Sequence, residues 1–304
     1  MFAQFSDNFE DGDFTANPAW SGQNLKFSIS SNQLKLQAPA VTDDAYLATP
    51  SAAINNASWE FYTRLSFNPS STNYARVYLV SSQPNLADTL RGYYVMIGNT
   101  ADEVSLYQQS GSTRVKIIDG ADGKLNLANV EVKIKVTRDA DGNWQLFSDV
   151  GLTGAYTSEG STADNTFFSS SYAGVYCSYT ATRSDKFYFD DFAVAGKAYI
   201  PPAPPSYKDV IVTEIFADPS PRVELPEVEF IELLNRSNTT YNLSGWTLSD
   251  GSSTATFPSY NLEPGKYILL TAASSTSSYS NLQNVLGLNS FPSWNNTGDN
   301  VLLK

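Results

Sequence analysis

The sequence predicts an all-β protein built from two sandwiches. Three observations predict it: runs that alternate apolar and polar residues with period two, turn signals of Gly, Asn and Asp at short intervals, and no long segment with a 3.6-residue period. Alternation of this kind marks strands with one face buried and one wet. It runs through 59–67, 75–80 and 130–136. Segments 92–98 and 104–107 are joined by Asn99-Thr100-Ala101-Asp102-Glu103, which reads as a hairpin loop. Asp139-Ala140-Asp141-Gly142-Asn143 precedes another strand, 143–147, and predicts a hairpin with Gly142 at positive φ. Many short strands of this kind suit a β-sandwich or jelly roll.

The clearest boundary is Ile200-Pro201-Pro202-Ala203-Pro204-Pro205-Ser206, a proline run that favours an extended spacer with no donors to offer a sheet. It divides the chain into a domain at 1–199, a linker at 200–206 and a domain at 207–304. In the second part, strands are expected at 210–216, 229–235, 245–250, 266–270 and 299–304. Asp250-Gly251 and Glu263-Pro264-Gly265 supply turns between them. Short antiparallel strands over this length suit an immunoglobulin-like sandwich.

Composition narrows the chemistry. The 304 residues are 41% hydrophobic and 13% aromatic, so the chain can bury a core. Histidine is absent, which removes Ser-His and Cys-His catalysis and His-ligated zinc. The single Cys177 removes internal disulfides and Cys metal clusters, and it reads as a buried small hydrophobe. Both parts are acidic and the net charge is −12, which argues against gripping phosphate backbones. No apolar run reaches the about 18 residues that a membrane-spanning helix needs, so membrane insertion is not expected. Met1-Phe2-Ala3-Gln4-Phe5 reads as the end of a secretory signal, against the alternative of an ordinary cytosolic start.

The second part resembles the lamin tail domain. The resemblance rests on Val212-Thr213-Glu214-Ile215, 229–235, 242–250, 262–267 and 296–303, in that order. The family continues with a turn and a further strand, which implies a chain truncated at its C-terminus. Trp246, inside the Asn242–Asp250 motif, is expected in the core. The first part resembles concanavalin A-like (laminin G-like) sandwiches through Ser6-Asp7-Asn8-Phe9-Glu10-Asp11-Gly12-Asp13-Phe14, Trp20 and the closing 186–194. Together these resemblances imply a bacterial secreted modular protein, extracellular or on the cell surface after signal-peptide export.

Two candidate sites follow. If the first and last strands of the first sandwich are neighbours, Asp7, Glu10 and Asp11 approach Asp190 and Asp191. Such acids, with Glu10 and Asp190 foremost, suit a structural calcium ion; the competing reading is that they are solvated turn residues. No cofactor is otherwise required. Asp139–Asn143 and Asp119–Gly123 imitate pieces of a calcium loop but read as turns. The second candidate site comes from the 18 tyrosines, 17 phenylalanines and 5 tryptophans. Aromatic rings with polar edges suit sugar binding, and Tyr74, Tyr78 and Tyr94, with Tyr93 and Tyr107, are candidates for an exposed strand face. Tyr93 and Tyr94 point to opposite faces, so at least one belongs in the core. Glu60 and Arg64 share a strand face and are expected to form a solvated ion pair.

Catalytic acid spacing is absent from the sandwich; Glu227-Val228-Glu229-Phe230-Ile231-Glu232 imitates a glycosidase signature, but in the lamin-tail part. The expected function is a non-catalytic binding or spacer module whose partners are glycans or surface polymers. The alternative is part of an extracellular hydrolase.

Overall fold

Period-two alternation becomes strand almost everywhere it occurs. In Val130–Arg138 the side chains of Val130, Val132, Ile134 and Val136 are buried, while Glu131, Lys133 and Lys135 between them remain half-buried. A computed structural model describes residues 3–200, 203–221, 224–295 and 298–304. The chain divides into two units, Met1–Ile200 and Pro201–Lys304. Met1 and Phe2 of the export reading, Pro201 and Pro202 of the linker, and Asn296 and Thr297 of the tail motif lie outside the described residues.

The first unit holds two antiparallel sheets. One runs in the order Thr157–Ala163, Asn143–Val150, Val130–Arg138, Asn55–Leu65, Phe187–Lys197, Gln33–Leu36, Phe27–Ser30, with Ala3–Asp7 also paired to Phe187–Lys197. The other runs Thr113–Ile118, Glu103–Gly111, Leu90–Gly98, Tyr74–Ser81, Tyr172–Tyr179, Asp43–Pro50, Ser21–Gly22. The first and last strands are indeed neighbours. One core takes Trp59, Phe61 and Trp144 from the first sheet and Val77, Tyr93 and Val175 from the second. At its centre the Trp59 and Trp144 rings stack with centroids 5.6 Å apart, and Tyr93 packs on Trp144 at 4.6 Å. Cys177 is fully buried there, and burial pushes its thiol well up. The expected turn at Gly142 has φ 82°.

Glu60 and Arg64 do not pair with each other. Glu60 accepts a hydrogen bond from Tyr156 at 2.9 Å and lies 3.9 Å from Lys135, while Arg64 sits 3.8 Å over the Tyr188 ring and donates to Gln33. Cross-strand neighbours outcompeted the partner four residues along.

The second unit contains a sheet of Val210–Phe216, Phe230–Asn235, Tyr267–Ala272 and Val285–Leu288, with smaller pairings of Thr254–Thr256, Thr247–Ser249 and Leu302–Leu303, and of Tyr241–Asn242 with Asn261–Leu262. Two expectations are corrected. Val285–Leu288 pairs in parallel with Tyr267–Ala272, because a 3-10 segment, Ala273–Tyr279, carries the chain back. A Cβ on Gly287 would stand 2.8 Å from the Ala273 Cα, so this crossing needs glycine. Trp246 is only half-buried beside the core, whose buried tryptophan is Trp294.

Trp144→Ala removes the ring that both Trp59 and Tyr93 pack on. It is expected to cost about 3–5 kcal/mol, measured by chemical denaturation of the full chain.

Candidate functional site

The seven-stranded sheet buries side chains on both of its faces. Residues that alternate away from the sandwich core form rows across the strands. Tyr78, Tyr94 and Tyr107 make one row, and Tyr46, Tyr176, Arg76 and Met96 another. The Tyr94 and Tyr107 rings stack at 5.3 Å with planes 5° apart, and Tyr78 meets Tyr94 at 5.0 Å. Leu86 and Leu90 join them in a second apolar cluster. Gly174 leaves the space that Leu86 fills, since a Cβ there would stand 2.7 Å from a Leu86 methyl.

Arg76 is the centre of this face and is only 6% exposed. Its guanidinium lies 4.7 Å from the ring centre of Tyr176, 5.1 Å from Tyr74 and 5.2 Å from Tyr94. One Nη donates to the Tyr74 hydroxyl at 2.9 Å, whereas among the described residues the buried Nε has no hydrogen-bond partner, nor has the buried Tyr94 hydroxyl. Burial opposes the charge on Arg76, but the phenols of Tyr78, Tyr74, Tyr94 and Tyr176 around it leave it firmly protonated. Desolvation in turn pushes the phenols of Tyr78, Tyr94 and Tyr176 up, so they remain neutral donors. Tyr78 donates to Gln109 at 2.8 Å and Tyr176 to Asp44 at 3.3 Å.

The structure therefore corrects the aromatic candidates. Tyr78 and Tyr94 are fully buried and not exposed, because the tilted Tyr78–Tyr94 pair and the stacked Tyr107 ring pack in one cluster with Leu86 and Leu90. Tyr74 stays half-exposed at the rim, with Tyr46, Tyr107 and Tyr172. Tyr93 and Tyr94 do point to opposite faces, and both are buried. The sequence reading missed Arg76. Its signal was the spacing Tyr74-x-Arg76-x-Tyr78, which places an arginine between two tyrosines on one strand face.

At the other candidate site, pairing of the first unit's opening and closing strands gathers Asp7, Asp11 and Asp191 around a cleft of about 390 Å³ with Ser6, Asn8 and Asn17. A bulge between Asp190 and Ala193, with Asp191 at φ 52°, turns the closing strand here. The oxygens are largely engaged within the fold. Asp7 accepts from the Trp20 indole at 2.7 Å and the Phe9 amide at 3.0 Å. Asp190 accepts from Gln33 and from the Asp191 amide, and Asp191 pairs with Lys133 at 3.0 Å. Glu10 is exposed and does not line the cleft. No three of Asp7, Glu10, Asp11, Asp190 and Asp191 bring ligand oxygens within 4.8 Å of one another.

Residues 203–304 match the Lamin Tail Domain family. The C-terminal unit thus has the immunoglobulin-like lamin tail fold that its motifs implied, and the first unit is an all-β sandwich of two antiparallel sheets. No curated protein sequence matches the chain. Similar solved structures include the VIP36 exoplasmic/lumenal domain in its Ca2+/Man3GlcNAc-bound form, at 11% identity and TM-score 0.48 over 65% of this chain and 91% of that one. The Emp47p carbohydrate recognition domain matches at 14% and 0.45, over 63% and 93%. A legume lectin-like domain from Entamoeba histolytica matches at 10% and 0.47, over 65% and 99%.

Burial pushes the Asp190 carboxyl above its ordinary 3.8, and the neighbouring charges of Asp191 and Asp7 add to this. The folded state therefore favours the neutral acid. Stability from this group is fully present below 3.8 and is lost as pH rises through the folded value. Asp190→Asn is expected to flatten that loss, read from denaturation midpoints across the acid range.

Proposed function

We propose that this chain is a non-catalytic binding module of an exported bacterial protein, with the first unit holding glycans or surface polymers and the lamin tail unit acting as an accessory spacer. The reading is carried by the Arg76 face. Sugars present apolar C–H faces and a fringe of hydroxyls, so a surface that holds them combines ring faces with hydrogen-bonding edges. The half-exposed Tyr46, Tyr74, Tyr107 and Tyr172 supply the rings, and the Tyr74 hydroxyl and Asp44 carboxylate supply the edges. Arg76 fixes the tyrosines from beneath through stacking and a hydrogen bond, which reduces the ordering cost that binding must meet.

For the corner acids the reading is structural. Asp7 anchors the Trp20 indole against Phe192, whose ring centre lies 5.0 Å from that of Trp20, and so joins the first strand to the last. A calcium ion held by Glu10 and Asp190 would add to that anchoring and would leave the Arg76 face unchanged. Among the described residues, no helix is long and apolar enough to cross a membrane.

A glycan array with the full chain tests the reading. Retention of at least one oligosaccharide class is expected, with affinity falling about 5- to 30-fold in Tyr74→Ala, the equivalent of about 1–2 kcal/mol for one lost ring contact. Absence of any retention, or release of reducing sugar that a single carboxylate substitution abolishes, would overturn it.

A further inference from the structure

We infer that Glu103, Asp119 and Asp122 form a calcium site that Lys116 occupies as an internal counter-ion when calcium is absent. Two loops build it. Glu103 opens the strand Glu103–Gly111, and Asp119 and Asp122 follow the strand Thr113–Ile118, which pairs with it. Ligand oxygens of the three acids lie within 4.8 Å of one another. Backbone bonds from Gly123 to the Ala101 carbonyl (2.8 Å) and from Leu125 to that of Asp102 (2.7 Å) hold the loops together.

Proximity of acids alone would not make a site; the state of Glu103 does. It is 2% exposed, and one carboxylate oxygen takes the Lys116 ammonium at 2.6 Å, while the other is buried with no hydrogen-bond partner among the described residues. A carboxylate oxygen taken out of water and left unmatched is costly. The same unit shows how a buried glutamate is otherwise treated. Glu159, equally enclosed, is matched by Lys124, by Ser148 and by the Ala121 amide. Glu103 is the one left with an unmatched oxygen at the edge of an acid cluster.

Charge points the same way. Lys116 also reaches Asp119 at 2.5 Å, so a single ammonium pairs with two of the three carboxylates, and Asp122 has no cation among the described residues. A dication in place of Lys116 would offset two of the three negative charges where the ammonium offsets one, and the Lys116 side chain is exposed enough to swing out. The donors are all hard oxygens, the set that calcium takes six to eight of with water completing the shell. The site does not depend on the carbohydrate reading.

The test is calorimetric titration and thermal melting of the chelator-treated full chain with calcium chloride. One calcium per chain and a raised melting temperature are expected. Lys116→Met, which removes the competitor, should bind at least tenfold more tightly. Glu103→Gln should abolish binding, and Asp122→Asn, an exposed change that spares the fold, should weaken it about tenfold. The inference is overturned if neither the parent chain nor Lys116→Met binds at millimolar calcium, or if binding is unchanged in Asp122→Asn.

Discussion

The first unit depends on a sheet that must bury both of its faces. One face of the Tyr74–Ser81, Leu90–Gly98 and Tyr172–Tyr179 strands meets the opposite sheet, which is ordinary for a sandwich. On the other face Tyr78, Tyr94, Met96 and Tyr176 are also buried. What covers them is each other, the 86–90 segment and a ring of half-exposed tyrosines. A face built in this way is aromatic, with half-exposed rings at its rim.

Arg76 makes that packing specific. An arginine enclosed by hydrocarbon alone would be expensive, so its planar cation is held between ring faces and tied to the Tyr74 hydroxyl. Lysine would not substitute, because a compact ammonium can neither stack on three rings nor fork its donors. The neutral phenols and the charged guanidinium support each other, and they leave the Arg76 Nε and the Tyr94 hydroxyl unmatched among the described residues.

Much of the fold was legible because one-sided burial writes itself into period-two patterns, as in Val130–Arg138. The pairing of the first sandwich's opening and closing strands entered the sequence reading only as a condition for bringing Asp7, Glu10 and Asp11 near Asp190 and Asp191, and Ala3–Asp7 does pair with Phe187–Lys197. What escaped depended on tertiary choices with no local pattern. The serine-rich 273–280 segment carries no period that announces a parallel crossing. Trp246, expected in the core, is half-buried beside it while Trp294 is buried within it, because burial is decided by which element lies opposite. Tyr78 and Tyr94 follow a strand's alternation faithfully, but alternation cannot say whether the outer face is wet. The partners of Glu60 and Arg64 came from neighbouring strands, which a single-strand reading does not contain.

The sequence also set the limits within which these surfaces act. Without histidine, and with its one thiol enclosed in the core, the chain is left with carboxylates, phenols and a few cations as its polar chemistry. In the first unit those groups are mostly spent on holding rings and loops in place. The most direct measurement of the central claim is an NMR titration of the full chain with an oligosaccharide it retains, following the Arg76 Nε–H and the tyrosine ring protons. The account predicts shifts centred on Arg76, Tyr74, Tyr94 and Tyr107. Shifts confined to the eight-stranded sheet, with the Arg76 signal unmoved at saturation, would contradict it.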